Sequence, residues 1–116
     1  MIEHYKQRRL EKGYRYEAEY TFTVRGEEYT RNTTWTIPLD AESRIDMLGL
    51  MERARNGESI TYTFGREQDV VFESSEFLEV ANEALKLYSK IHHIAKEGHA
   101  LKDDELRDKV RELMDA

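Results

Sequence analysis

From Tyr14 the chain alternates. In "YRYEAEYTFTV" the positions Tyr16, Ala18, Tyr20, Phe22 and Val24 are apolar or aromatic, with Glu17, Glu19, Thr21 and Thr23 between them. A period of two predicts a half-buried strand with one greasy face and one charged face. Arg25-Gly26 supplies a tight turn, because glycine accepts the positive φ that two-residue hairpin loops require. "EEYTRNTTWTI" then returns, with Tyr29, Trp35 and Ile37 on one side and Arg31 and Thr33 between them. Together the two runs predict a β-hairpin.

Pro38 closes the return strand, and Asp40 has the place and chemistry of a helix N-cap. "AESRIDMLGLMERARNG" has acid in its first turn, Arg53 and Arg55 in its last, and Asn56-Gly57 as its stop. Ala41, Ile45, Leu48, Met51 and Ala54 are expected as its inward stripe, widened by Met47 and Leu50. A second hairpin follows: "SITYTF" alternates through Ile60, Tyr62 and Phe64, "GREQD" is its loop and "VVFE" its return. Ser74 is expected to cap the longest helix, roughly residues 75–97, with Gly98 halting it. Phe77, Ala81, Ala84, Leu85, Tyr88, Ile91, His92 and Ala95 make its stripe at spacings of three and four. Leu78, Leu87 and Ile94 lie off that stripe, so this helix asks for a second burial, by the chain's own tail or by another chain.

The tail, with Leu106, Val110 and Leu113, predicts a short amphipathic helix over about 102–115, suited to intramolecular cover or a coiled-coil contact. Residues 1–13 carry Lys6, Arg8, Arg9 and Lys12, with Ile2, Tyr5 and Leu10 near helical spacing. They predict a basic arm or a short helix ending at Gly13, ahead of a single domain over 14–116. Strands joined in pairs by tight turns place that domain in the α+β class. It is expected as two antiparallel β-hairpins packed with a mid-chain helix, a long helix and a short C-terminal helix.

Composition narrows the function. With 116 residues the chain can build one small core, so burying further surface against itself or a partner would be useful. Hydrophobic residues make up 39% and charged residues 36%, a polar but foldable composition. A net charge of −6 works against nucleic acid and anionic membranes, whose affinity comes from Lys and Arg. The absence of cysteine excludes disulfides, thiolate metal sites and cysteine nucleophiles. No apolar run reaches the length of a membrane span, and "MIEHYKQRRLEKG" lacks a secretory core, so a cytoplasmic location is expected.

Candidate chemistry centres on "KIHHIAKEGH", which holds His92, His93 and His99. Adjacent helical residues point about 100° apart, so His92 and His93 cannot share a metal without distortion. Seven positions separate His92 from His99, about 10 Å along a helix axis. His92 falls on the apolar stripe and is expected to pack there, while His93 faces solvent. The carboxylate pairs Glu17/Glu19, Glu27/Glu28 and Asp103/Asp104/Glu105 each have a structural explanation in a strand face, a turn or a helix first turn. Ser74 and Ser75 read as caps rather than nucleophiles, and "VRGEE" and "TFGRE" as hairpin turns rather than phosphate loops. No catalytic residue, cofactor or metal is expected.

Seven tyrosines, four phenylalanines and Trp35 remain, concentrated in the strands. Aromatic side chains bury much area with few rotatable bonds, so they suit both a core and an interface. Tyr16, Tyr20, Phe22, Tyr29 and Trp35, with Leu87 and Ile94 on the long helix, are the candidate partner-binding residues. The same aromatics with Arg25, Arg31 and Arg66 could instead stack a nucleotide base and hold its phosphate, if one exposed face carries them all.

"FTVRGEEY", "DAESRIDMLGLMERARNG", "ESITYTFGREQDVVFESSEFLEVANEAL" and "HHIAKEGHALKDD" occur in that order between Phe22 and about Asp103. This stretch resembles a small domain of unknown function found in bacteriophage tail-fibre and tail-fibre-assembly proteins. Ser43, Arg44, Ile45, Gly57, Ile60, Leu78 and Leu101 are the matching positions. Tyr62 stands where the family often has tryptophan, and "REQD" where its loop commonly has an Asp-Asn pair. The resemblance implies no catalytic residues. It implies a phage origin and a role on or around the tail fibre. The expectation is therefore a tail-fibre assembly chaperone or accessory subunit that binds a tail-fibre polypeptide or its own copies. It would work in the host cytoplasm during assembly or stay in the virion tail, without touching nucleic acid or membrane. A phage-encoded protein that binds or sequesters a nucleotide is the alternative.

Overall fold

In the computed structural model of the chain, the described residues are 2–64 and 68–116, excepting the side chains of Tyr20, Phe22 and Gln68. The order is α1 (Ile2–Lys12), β1 (Tyr14–Val24), β2 (Glu27–Ile37), α2 (Ala41–Arg55), β3 (Ile60–Phe64), β4 (Gln68–Phe72), α3 (Ser74–Gly98) and α4 (Asp103–Asp115). Strands β1 and β2 form one antiparallel sheet, and β3 and β4 another. This is the α+β fold expected. Strand β4 starts at Gln68, so Gln68 and Asp69, expected in the loop, are ladder residues; positions 65–67, with Arg66, lie outside the described residues.

Helix α3 organises the body. One of its sides, through Phe77, Ala81, Ala84 and Tyr88, packs against α2 and the second hairpin, with the Arg44 guanidinium 3.6 Å above the Tyr88 ring. The other side runs through Leu87, Ile91, Ile94 and Gly98, and is covered by α1 and α4. A Cβ on Gly98 would stand 3.0 Å from Ile2 Cδ1 and 3.2 Å from Lys109 Cγ. Gly98 therefore lies inside α3 as a point of close approach, and His99 is the cap beyond it. The start of α3 also differs from expectation: Ser74 is its first helical residue, and Glu73 precedes it as N-cap, its N–H donating to Glu76 Oε1 at 3.1 Å.

Of residues 1–13, expected as a basic arm or short helix outside the domain, Ile2–Lys12 are helix, and they supply Ile2 and Leu10 to the core. Arg9 is buried too. Its Nη1 donates to Gly13 O at 3.0 Å and its Nη2 to Ala116 O, so one cation serves the carbonyl ends of both α1 and α4. Burial pulls the Arg9 pKa down from its ordinary value. Beyond Arg9 the chain reverses at Gly13, with φ +71°, while Leu39 N donates to Leu10 O at 3.0 Å. That junction ties the end of α1 to the end of β2.

Helix α2 has the caps its sequence predicts. Asp40 accepts from Ser43 N at 3.4 Å and from Ser43 Oγ at 2.6 Å. At the other end Gly57 N donates to Ala54 O and Glu58 N to Arg53 O, the paired bonds of a Schellman stop, with Gly57 at φ +85°. Its buried face differs from expectation. Met47, Met51 and Ala54 point inward, whereas Ile45 is 68% and Leu48 51% exposed. Apolar residues surround this helix, so periodicity alone could not choose the face.

Two stability predictions follow from these junctions. A Cβ on Gly13 would sit 2.2 Å from Ile37 O, whereas one on Gly26 (φ +82°) meets nothing within 4 Å. Gly13→Ala should cost about 3 kcal/mol or more, combining a backbone clash with left-handed strain, and Gly26→Ala about 1 kcal/mol. Urea denaturation of the two variants checks that order. The Ser43 hydroxyl bond is the main cause that holds the Asp40 carboxyl below its ordinary pKa. A depressed carboxyl stabilises the fold above its unfolded pKa of about 3.9, and that contribution is lost as pH falls through the lower folded value. Asp40→Ala should cost about 1 kcal/mol at neutral pH and progressively less below about pH 4, read from unfolding curves across pH.

Candidate interaction surface

The first hairpin is the unusual element. Its ladder runs without a bulge from Tyr14↔Ile37 to Val24↔Glu27. Arg25 at φ 53° and Gly26 at φ 82° make the two-residue loop, the pair of positive dihedrals a type I′ turn demands. Eleven residues per strand give a ribbon of about 36 Å. The molecule measures 58 × 33 × 20 Å with a radius of gyration of 17.1 Å. A compact chain of this length would have about 13 Å. The ribbon is the projection that makes the difference.

Its root is locked by aromatic packing. Trp35 lies 5.0 Å from Phe64 and 6.1 Å from Tyr16 between ring centres, both nearly parallel. Tyr16 meets Phe72 at 5.7 Å, and Phe72 meets Phe77 of α3 at 6.0 Å. The two sheets thus join through rings rather than through a shared ladder. Burial of side chains this size contributes about 1.5–3 kcal/mol each, which is enough to anchor the base of the ribbon. Tyr16 is half-buried at the mouth of a cleft it shares with Tyr14, Glu76, Glu79 and Glu83. Burial pushes its phenol pKa up, and Glu76 pushes it further.

Outward from the root, cover falls away along the same face. The β2 residues of that face pass from Ile37 and Trp35, which are buried, through half-buried Thr33 to exposed Arg31 and Tyr29. On β1 the same face ends at Val24, 46% exposed. The opposite face is polar throughout: Arg15, Glu17, Glu19, Thr21 and Thr23 against Thr36, Thr34, Asn32, Thr30 and Glu28, all exposed. On the distal part Thr21 Oγ1 and Thr30 Oγ1 meet across the strands at 3.0 Å, and within β2 Tyr29 OH donates to Glu27 Oε2 at 2.8 Å.

The candidate partner-binding residues therefore separate. Tyr29 is exposed on the ribbon. Trp35 is a core residue and Tyr16 half-buried against it, so Trp35 is not available as an external contact. Ile94 is buried, and Leu87 is half-buried where it shares a cleft with Arg9 and Met114. The second burial that α3 requires is met within the chain by α1 and α4, which removes that ground for a partner. Tyr20 and Phe22 stand opposite Arg31 and Tyr29 in the register, and their side chains lie outside the described residues. Val24 was not singled out by sequence, although it continues the alternation of β1. Of the three arginines considered for a nucleotide, Arg25 is at the tip and Arg31 midway along the ribbon, and Arg66 is outside the described residues.

The histidines do not converge. His92, expected to pack on the apolar stripe, is exposed; its ring lies 5.9 Å from the Tyr88 ring and its Nδ1 3.0 Å from Lys6 Nζ. His93 faces Glu97 at 3.7 Å, and His99 Nε2 is 2.6 Å from Glu3 Oε1. His92 and His99 thereby tie α1 to the end of α3. Among the described residues no group of three potential ligands comes together, and no helix is long and apolar enough to cross a membrane. No family model, curated protein or solved structure matches the chain.

The uneven support of the ribbon gives a measurable profile. Backbone amides between Glu19 and Asn32 should show protection from hydrogen exchange at least about 30-fold below those beside Tyr16 and Trp35. Uniform protection along both strands, read by exchange-resolved NMR, would refute the picture of an anchored root and an unsupported end.

Proposed function

We propose that the protein is a binding module that acts through protein–protein contact, with the distal half of the β1–β2 ribbon as the element it presents. One observation carries this reading: the face buried at Trp35 and Ile37 passes outward to exposed Tyr29 and Val24. Two-stranded ribbons are marginal in water, and an uninterrupted open strand edge invites another chain. Within each strand the ribbon has no proline and no bulge, so it lacks two common means of blunting an edge. A partner would gain main-chain hydrogen bonds along the edge and apolar contact on the Tyr29 face.

For the partner we propose a phage tail-fibre polypeptide, with this protein as its assembly chaperone or accessory subunit. The support for that identity is the sequence resemblance, and the support for the mode of binding is the ribbon. Co-expression with a tail-fibre polypeptide tests both. The fibre chain should co-purify with the protein, and Val24→Asp with Tyr29→Asp should reduce co-purification at least about tenfold without lowering the melting temperature by more than a few degrees. A fibre that folds, trimerises and purifies equally well without the protein would overturn the chaperone role. Undiminished binding by the double variant would overturn the role of the ribbon.

A further inference from the structure

Helix α2 leaves apolar surface outside on the side opposite Met47, Met51 and Ala54. At about 100° per residue, Ala41, Ile45, Leu48, Gly49 and Glu52 form its outer ridge, and every one of them is exposed. Ile45 and Leu48 are among the most exposed large apolar side chains of the described residues. Gly49 lies between the two halves of this ridge, and a Cβ there would meet nothing within 4 Å. We infer that the outer face of α2 is a self-association surface, on which a second copy of this chain packs antiparallel and crosses at Gly49.

Charge on the flank of this ridge fits a second copy. Glu42, Asp46 and Arg53 share one flank of the ridge, because Arg53 follows Asp46 by seven residues and Glu42 by eleven. Acid thus stands on the N-terminal half of that flank and base on its C-terminal half. An antiparallel partner sets Asp46 of each copy beside Arg53 of the other, with the two-fold axis falling close to Gly49. A parallel two-fold partner would carry this flank to the opposite side of the seam, so Asp46 of one copy and Arg53 of the other would not meet. The in-chain pairs Arg53–Glu58 at 3.4 Å and Arg55–Glu52 at 3.3 Å are both exposed, so either can be exchanged for a pair with the second copy at little cost. Glycine at the crossing lets the helix axes come close, so that Ile45 and Leu48 of each copy reach the other. An interface built on one helix pair is smaller than the standard size, so the dimer is weak, with a dissociation constant of roughly tens to hundreds of micromolar. This surface is separate from the ribbon, and it stands whether or not the ribbon binds a fibre chain.

Sedimentation equilibrium of the full chain from about 10 to about 500 µM tests the inference. The expected result is a monomer–dimer equilibrium that Ile45→Asp weakens at least about tenfold. Asp46→Arg and Arg53→Asp should each weaken the dimer, and the two together should bring it back to within about threefold of the parent. Because the chain has no cysteine, Gly49→Cys adds a single thiol at an open helical position, and mild oxidation should link two copies there. A monomer throughout that range, including a monomer whose α2 face binds some other protein, would overturn the inference. So would a dimer indifferent to Ile45→Asp. A charge-exchanged double variant as weak as its single parents, or a Gly49→Cys chain that resists cross-linking, would overturn the antiparallel crossing.

Discussion

The fold depends on one requirement: α3 must be covered along two sides at once. Its 25 residues carry one apolar ridge through Phe77, Ala81, Ala84 and Tyr88, and another through Leu87, Ile91, Ile94 and Gly98. The second ridge draws in both ends of the chain, α1 with Ile2 and Leu10 and α4 with Leu113. The first draws in α2 and the aromatic base of the hairpins. The elements that cover the two sides gather around α3, and the outer half of the ribbon lies beyond them. Its projection is a consequence of where the small core is spent.

That distribution makes the molecule uneven. Near α3 the groups are redundantly held: Arg9 joins two helix ends, Gly13 cannot take a side chain, and His99 and Lys6 pin α1 in place. Along the outer ribbon the backbone is paired, while Arg31, Tyr29 and Val24 are exposed. Such an element is preformed, so a partner need not meet the full entropic cost of ordering it. It is also loosely supported, so it can adjust its twist to what it meets.

Much of this was legible in the sequence wherever a residue does one local job. Arg25-Gly26, Asp40 and Asn56-Gly57 mark turns and caps whose dihedrals and bonds are those expected. Positions that depend on distant partners were not legible. The spacing of three and four points Ile45 and Leu48 inward, but apolar residues lie on more than one side of α2, and the side facing Tyr88 is set by tertiary packing. Gly98 looked like a helix stop, although its reason is the side chain of Ile2, almost a hundred residues away in sequence. Arg9 looked like part of a solvated basic arm, and only the meeting of α1 with α4 makes it a buried cap. Trp35 was an interface candidate by residue type, and the second hairpin turned it into core.

The two faces of the ribbon show how the sequence limits where another chain can attach. Glu17, Glu19 and Glu28 stand with threonines on the polar face, so a partner on that side would have to desolvate carboxylates with no cation in reach on the ladder beyond Arg15. On the other face Glu27 is already engaged by the Tyr29 hydroxyl, and the remaining contacts offered at Val24 and Tyr29 are apolar or aromatic. A chain approaching the Tyr29 face would desolvate fewer carboxylates, and would meet Arg31 as an exposed cation there. The same alternation that buries Trp35 at the root thus separates the carboxylate-rich face of the ribbon from the aromatic one. A one-residue slip in the register would exchange the faces, presenting glutamates to the core and tyrosine to the solvent. The two-residue turn at Arg25-Gly26 and the ring packing at Trp35 prevent that slip from opposite ends of the ladder.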